Sequence, residues 1–200
     1  MSGSQEPAFR CCVEFSKGGA ARFLSHLDLQ AAVERALRRA RLPLAFSQGF
    51  QPRPKLQFEE ALPLGWRSDL ERLWVDLRVP YPCREAAKRL ARTLPDGVRL
   101  LRMYPAPGRP QPPVARSYRV RGVEFAPEAL EGLGAAFPVA AADPASAVVA
   151  VVDAGGTVFH LRPRAQGGAP SLKKVIRFLL GGDPGAELEV LRLASGEDDA

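Results

Sequence analysis

Five prolines fall within the ten residues PAPGRPQPPV, Pro105 to Val114, and they limit the fold more than any other feature of the chain. Proline has no N–H to give to a ladder and holds φ fixed, so neither a regular helix nor a central strand can run through them. The segment is expected to act as a semi-rigid linker. It parts the 200 residues into halves that each suit one small domain. The expected boundaries are 8–104 and 115–195, with 105–114 between them. Met1 to Pro7 and Ser195 to Ala200 are expected to fray. At 46% hydrophobic residues, the chain has enough apolar material to fill a core.

Before the linker, Phe9 to Ser16 reads as a strand. A helix is predicted from His26 to about Arg41. Ser25 is a suitable N-cap, Asp28 stands three residues on, and Leu29, Val33, Ala36, Leu37 and Ala40 recur at helical spacing. An extended piece, Lys55 to Leu62, follows. Leu73, Val75, Leu77 and Val79 alternate with Trp74, Asp76 and Arg78, which predicts a strand. A second helix is expected from about Arg84 to Leu94, with Ala87, Leu90, Ala91 and Leu94 inward, then a strand from Val98 to Tyr104. The order is βαββαβ.

After the linker the same order returns. Ser117 to Val123 reads as a strand, and Pro127 to Phe137 as a short helix weakened by Gly132 and Gly134. VVAVVD and TVFHLRP read as strands joined by a turn at Ala154-Gly155-Gly156. Ser171 caps a helix from Leu172 to Leu180 that Gly181-Gly182 ends, and Glu187 to Leu193 closes the chain as a strand. Two such units predict an α+β protein of two tandem ferredoxin-like domains with antiparallel sheets.

Charge is divided unequally between the halves. Up to Arg116 there are 20 Lys and Arg against 11 Asp and Glu, a balance of +9, and from Ser117 onward 8 against 11, a balance of −3. A basic half joined to a mildly acidic one suggests that the first half meets a polyanion. A generally arginine-rich composition would explain the abundance but not the asymmetry. Cys11, Cys12 and Cys83 form neither a disulfide framework nor a metal-ligand spacing, so no metal and no cofactor is expected. The amino-terminal MSGSQEPAF lacks an apolar signal core, and no apolar run approaches the ~20 residues of a membrane span. A soluble, cytoplasmic protein without membrane contact is expected.

The cations concentrate between Ser25 and Lys55, and no acidic residue lies between Glu34 and Glu59. Arg35, Arg38 and Arg39 stand at i, i+3 and i+4 on the helix side opposite the apolar stripe, with Arg41 just beyond. An ordinary solvated face would also carry arginines near a helix end, where the dipole favours them. The segment SQGFQPRPK adds Phe50, Arg53 and Lys55 on a chain stiffened by Pro52 and Pro54. Cations and a ring on a stiff loop suit single-stranded RNA, the cations meeting phosphates and the ring stacking on a base. Edge-strand prolines and a core phenylalanine would be the plainer account. Lys17, Arg22 and His26 lie around the glycine-rich SKGGAARF, where Gly18 and Gly19 could let backbone N–H groups approach an anion. His26 is a candidate general acid or base for an RNA 2′-hydroxyl, or simply a hydrogen-bonded residue at a helix start.

The stretch from Arg10 to Leu77 resembles the radical-SAM-associated domain of unknown function DUF2344. The resemblance rests on SHLDL, on the helix end R-x-x-RRA-x-LP, on the loop S-x-GF-x-P-x-PK and on an LPLG turn. Gln51 and Arg53 occupy loop positions that look more often like Asn or Ser and like His or Arg in the family, and Arg53 keeps the positive character. The resemblance implies a bacterial protein encoded beside, or fused to, a radical SAM protein. The chain has no cluster-binding cysteine trio, so it would be the companion of that enzyme. The tandem βαββαβ order is also similar to that of CRISPR RNA-processing endonucleases. The expected function is an RNA-binding accessory to a radical SAM partner. The alternatives are an adaptor docking that partner without RNA, and a metal-independent endoribonuclease using His26.

Overall fold

The computed structural model describes residues 9–108, 115–140, 143–164, 169–182 and 188–194. Most of the proline-rich segment, 109–114, and the tails expected to fray lie outside them. The chain divides into two compact units, Met1–Pro112 and Pro113–Ala200. It is an α+β protein with a mainly antiparallel sheet. Among the described residues no helix is long and apolar enough to cross a membrane.

The first unit runs β1 (Phe9–Lys17), a 3-10 turn (Gly19–Phe23), α1 (His26–Arg39), β2 (Leu56–Phe58), β3 (Arg67–Leu77), α2 (Cys83–Ala91) and β4 (Val98–Pro105). β1 pairs β4 on one side and β3 on the other, and β2 lies on the far side of β3, giving the order β4–β1–β3–β2 with every pair antiparallel. Strand alternation turns Cys11, Val13 and Phe15 of β1 and Leu73, Val75 and Leu77 of β3 toward the helices. There they pack with Leu29, Val33, Ala36 and Leu37 of α1 and Ala86 and Leu90 of α2. The Cys11 and Cys83 sulfurs meet at 3.2 Å across this core.

Ser25 caps α1 as the sequence predicts, its hydroxyl accepting from the Asp28 N–H at 3.1 Å. The same hydroxyl donates to the Asp28 carboxylate at 2.7 Å. α2 begins earlier and ends sooner than its pattern suggests. Ala86 and Leu90 are its buried pair, and Ala91 faces solvent. β3 stops at Leu77, which leaves Val79 exposed.

The second unit comprises β5 (Arg116–Arg121), α3 (Pro127–Glu131), α4 (Leu133–Ala136), a small ribbon of β6 (Pro138–Ala140) and β7 (Asp143–Ser146), then β8 (Val148–Asp153), β9 (Gly156–Leu161), α5 (Leu172–Leu180) and β10 (Glu189–Arg192). Its main sheet has the order β10–β5–β9–β8. With the ribbon set aside, this repeats the first unit's arrangement of fourth, first, third and second strand. The single short helix predicted after β5 is two, separated at Gly132. The β6–β7 ribbon has no counterpart in the predicted order. Tyr118, Val120, Phe159, Leu161, Val175, Ile176 and Val190 are buried in this unit.

Candidate nucleic-acid interface

α1 presents Arg35, Arg38 and Arg39 to solvent, as the 3.6-residue repeat requires once Val33, Ala36 and Leu37 turn inward. Arg35 meets no partner among the described residues. Arg38 is paired with Glu34 at 2.9 Å, and its guanidinium lies 5.1 Å from the centre of the Phe46 ring. Arg39 donates to the Thr93 carbonyl at 2.6 Å and so ties α1 to the end of α2. Arg41 is exposed at φ 53°, where the backbone bends out of the helix.

The chain then folds into a hairpin that the proline pattern did not reveal. Lys55 N–H donates to the Ala45 carbonyl at 2.9 Å, Ser47 N–H to the Arg53 carbonyl at 2.8 Å, and Arg53 N–H to the Ser47 hydroxyl at 3.0 Å. Phe46 bridges Pro54. The base is stitched to β3, with Ala45 N–H donating to the Asp76 carbonyl and Asp76 N–H to the Lys55 carbonyl. Gly49, at φ 125°, turns the tip. Phe50 stands on that tip fully exposed, at 109% of its reference area, so it is not a core residue. Arg53 and Lys55 are exposed on the returning arm, and their side chains have no partner among the described residues. The Arg38–Phe46 contact joins this hairpin to α1.

The glycine-rich turn differs from the anion loop its composition suggests. Gly18 N–H is taken by the Gly97 carbonyl at 2.8 Å. Lys17 is buried, with its ammonium donating to the Leu24 carbonyl at 3.1 Å, and is no surface cation. Arg22 lies over Phe23, 4.6 Å from the ring centre. His26 is half-buried, its Nε2 2.9 Å from the Gln30 amide and its ring edge-on to Phe58 at 5.5 Å. Among the described residues no group of three His, Cys, Asp or Glu side chains could hold a metal ion.

The sheet face of the first unit that points away from the helices carries charge pairs that the sequence alone did not match up. Strand register sets three cross-strand rows there. One row is Lys55, Asp76 and Arg10, the next is Gln57, Trp74, Cys12 and Tyr104, and the third is Glu59, Arg72, Glu14 and Arg102. The outer rows alternate in charge. Arg10 grips Asp76 through two hydrogen bonds, of 2.6 and 3.1 Å. Glu14, 3% exposed, accepts from Arg72 at 3.0 Å, from Tyr104 at 3.1 Å and from Arg102. Burial alone would raise the Glu14 carboxyl, but bonds from Arg102, Arg72 and Tyr104 outweigh it and hold the group below the ordinary carboxylate range. Burial pushes the Cys12 thiol and the Tyr104 phenol up. The signal for these rows was present in the period-2 pattern, since Arg10, Cys12 and Glu14 alternate with core residues. Which charge faced which required the register.

No curated protein matches the chain. Residues 10–148 match the family described as an uncharacterized protein conserved in bacteria, DUF2344, a span that includes α1, the hairpin and the three rows. The chain belongs to the DUF2344 family.

Proposed function

We propose that this chain is an RNA-binding accessory protein of two tandem ferredoxin-like units, the first of which holds single-stranded RNA for modification by a separate radical SAM partner. One observation carries the RNA reading. A fully exposed phenylalanine tops a hydrogen-bonded hairpin whose Arg53 and Lys55 have no carboxylate to satisfy them among the described residues. A fully exposed ring is free to stack on a base, which would take its faces out of water. Guanidinium groups on α1 and the hairpin would meet the phosphates. The fourth–first–third–second strand order supports the ferredoxin-like assignment. The partnership with a radical SAM enzyme follows the family resemblance.

Anisotropy of a labelled single strand tests the reading with nuclease-treated protein. Binding is expected in low salt and should fall steeply as salt rises. Phe50→Ala should cost about 1–3 kcal/mol of affinity, the range for one base–ring stack. A protein that binds no RNA at low salt ends the proposal.

A second reading, the adaptor, draws on a different surface. Phe23, Leu27 and Leu64 are largely exposed, and Gly65 N–H on the Arg22 carbonyl at 2.8 Å brings the LPLG turn beside the start of α1. Such side chains suit a protein contact. Co-purification of a partner that survives nuclease, and that is lost in Leu27→Asp but kept in Phe50→Ala, would favour it.

A further inference from the structure

The hairpin arm and the three-row sheet face meet at a cavity of about 240 Å³ lined by Arg10, Lys55, Leu56, Gln57, Trp74 and Asp76. Its size falls below the ~300 Å³ at which pockets for drug-sized ligands begin, so it suits one small group. Its chemistry is specific. Trp74 supplies an aromatic wall. The Gln57 amide, exposed and without a partner among the described residues, offers both a donor and an acceptor. Asp76, largely buried in the cavity wall, gives one lone pair on each oxygen to Arg10 and keeps a second on each. Lys55, exposed, also lines the cavity and has no carboxylate paired to it among the described residues. A ligand matching these walls is flat and heteroaromatic, carries hydrogen-bond donors and acceptors on its edge, and is joined to a negative charge.

We infer that this cavity is a base-selective subsite for a single unpaired nucleotide, Gln57 and Asp76 reading the base edge beside Trp74 while Lys55 holds the adjoining phosphate. The inference rests on the RNA-binding reading of the first unit and adds selectivity to it. Phe50 at the hairpin tip can stack on any base, because every base has a π face. Edge contacts to an amide and a carboxylate distinguish one base from another, in single strands as in grooves. The two devices are therefore separable by what they discriminate.

The test measures affinity for four single-stranded pentanucleotides, of adenine, cytosine, guanine or uracil, with wild type, Gln57→Ala and Phe50→Ala. Gln57 is exposed, so its truncation leaves the core intact, and circular dichroism checks the fold. Wild type is expected to prefer one base by about tenfold, within the discrimination that one well-placed hydrogen-bonding pair supplies. Gln57→Ala should flatten that preference and still bind RNA. Phe50→Ala should weaken all four strands alike and keep the preference. Equal binding of the four by wild type, or a preference unchanged in Gln57→Ala, overturns the subsite and leaves the RNA reading standing. Binding of none of the four in low salt overturns both.

Discussion

Glu14 shows how much of this molecule is decided at single positions. It sits in a central strand, nearly without solvent, yet is charged because Arg72, Arg102 and Tyr104 converge on it. Removing one partner of a buried ionic cluster is more damaging than never having built it. Glu14→Gln should therefore destabilise the protein by about 3 kcal/mol at neutral pH, read from the urea midpoint. Its folded-state pKa is lowered, so the stability it contributes is complete above the carboxyl value of the unfolded chain. That stability is lost as pH falls through the lowered folded value. The wild type and Glu14→Gln should converge in acid, and a difference that stays constant from neutral to acidic pH would show that the charge is not what matters. Nothing in the sequence around Glu14 announces this role, since its partners are 58, 88 and 90 residues away.

At the level of elements, the sequence was most informative where a pattern is local. The Ser25 cap, the apolar stripe of α1 and the Gly181 stop after α5 are all present, because each depends on neighbours within a few residues. The hairpin from Ala45 to Lys55 was not legible, because its hydrogen bonds run to β3 and across its own arms rather than along a periodic repeat. The β6–β7 ribbon was hidden for a similar reason, since its strands are too short to show alternation. The closure of the glycine-rich turn depends on a partner far off in sequence. Gly97, at φ 82°, lets β4 approach so closely that a Cβ there would stand 2.4 Å from the Gly18 carbonyl oxygen and 2.9 Å from Ala21. Gly97→Ala combines a left-handed backbone with that clash and should cost about 3 kcal/mol. The urea midpoint gives the figure. A loss below about 0.5 kcal/mol, the ordinary range of surface changes, would mean the approach is not needed.

Across the whole molecule the charge asymmetry turns from a composition statement into a measurable one. The first 116 residues carry a balance of +9 and the rest −3. If RNA lies on the first unit, each phosphate contact there releases counterions, and the logarithm of affinity falls with the logarithm of salt by about 0.7 per contact on a single strand. Arg35→Ala and Arg53→Ala, which remove cations with no partner among the described residues, should each lower that slope by about 0.7. Arg38→Ala should lower it less, because Glu34 already neutralises Arg38 at 2.9 Å and, once released, repels the strand only weakly from a partly exposed site. Lys173 and Lys174 are also exposed, on α5 of the acidic half, and substituting both should leave the slope unchanged. This pattern separates a localised interface from general attraction between a basic protein and a polyanion. If every one of these substitutions lowers the slope alike, net charge alone governs binding, and the cations of α1 and the hairpin have no special place in it.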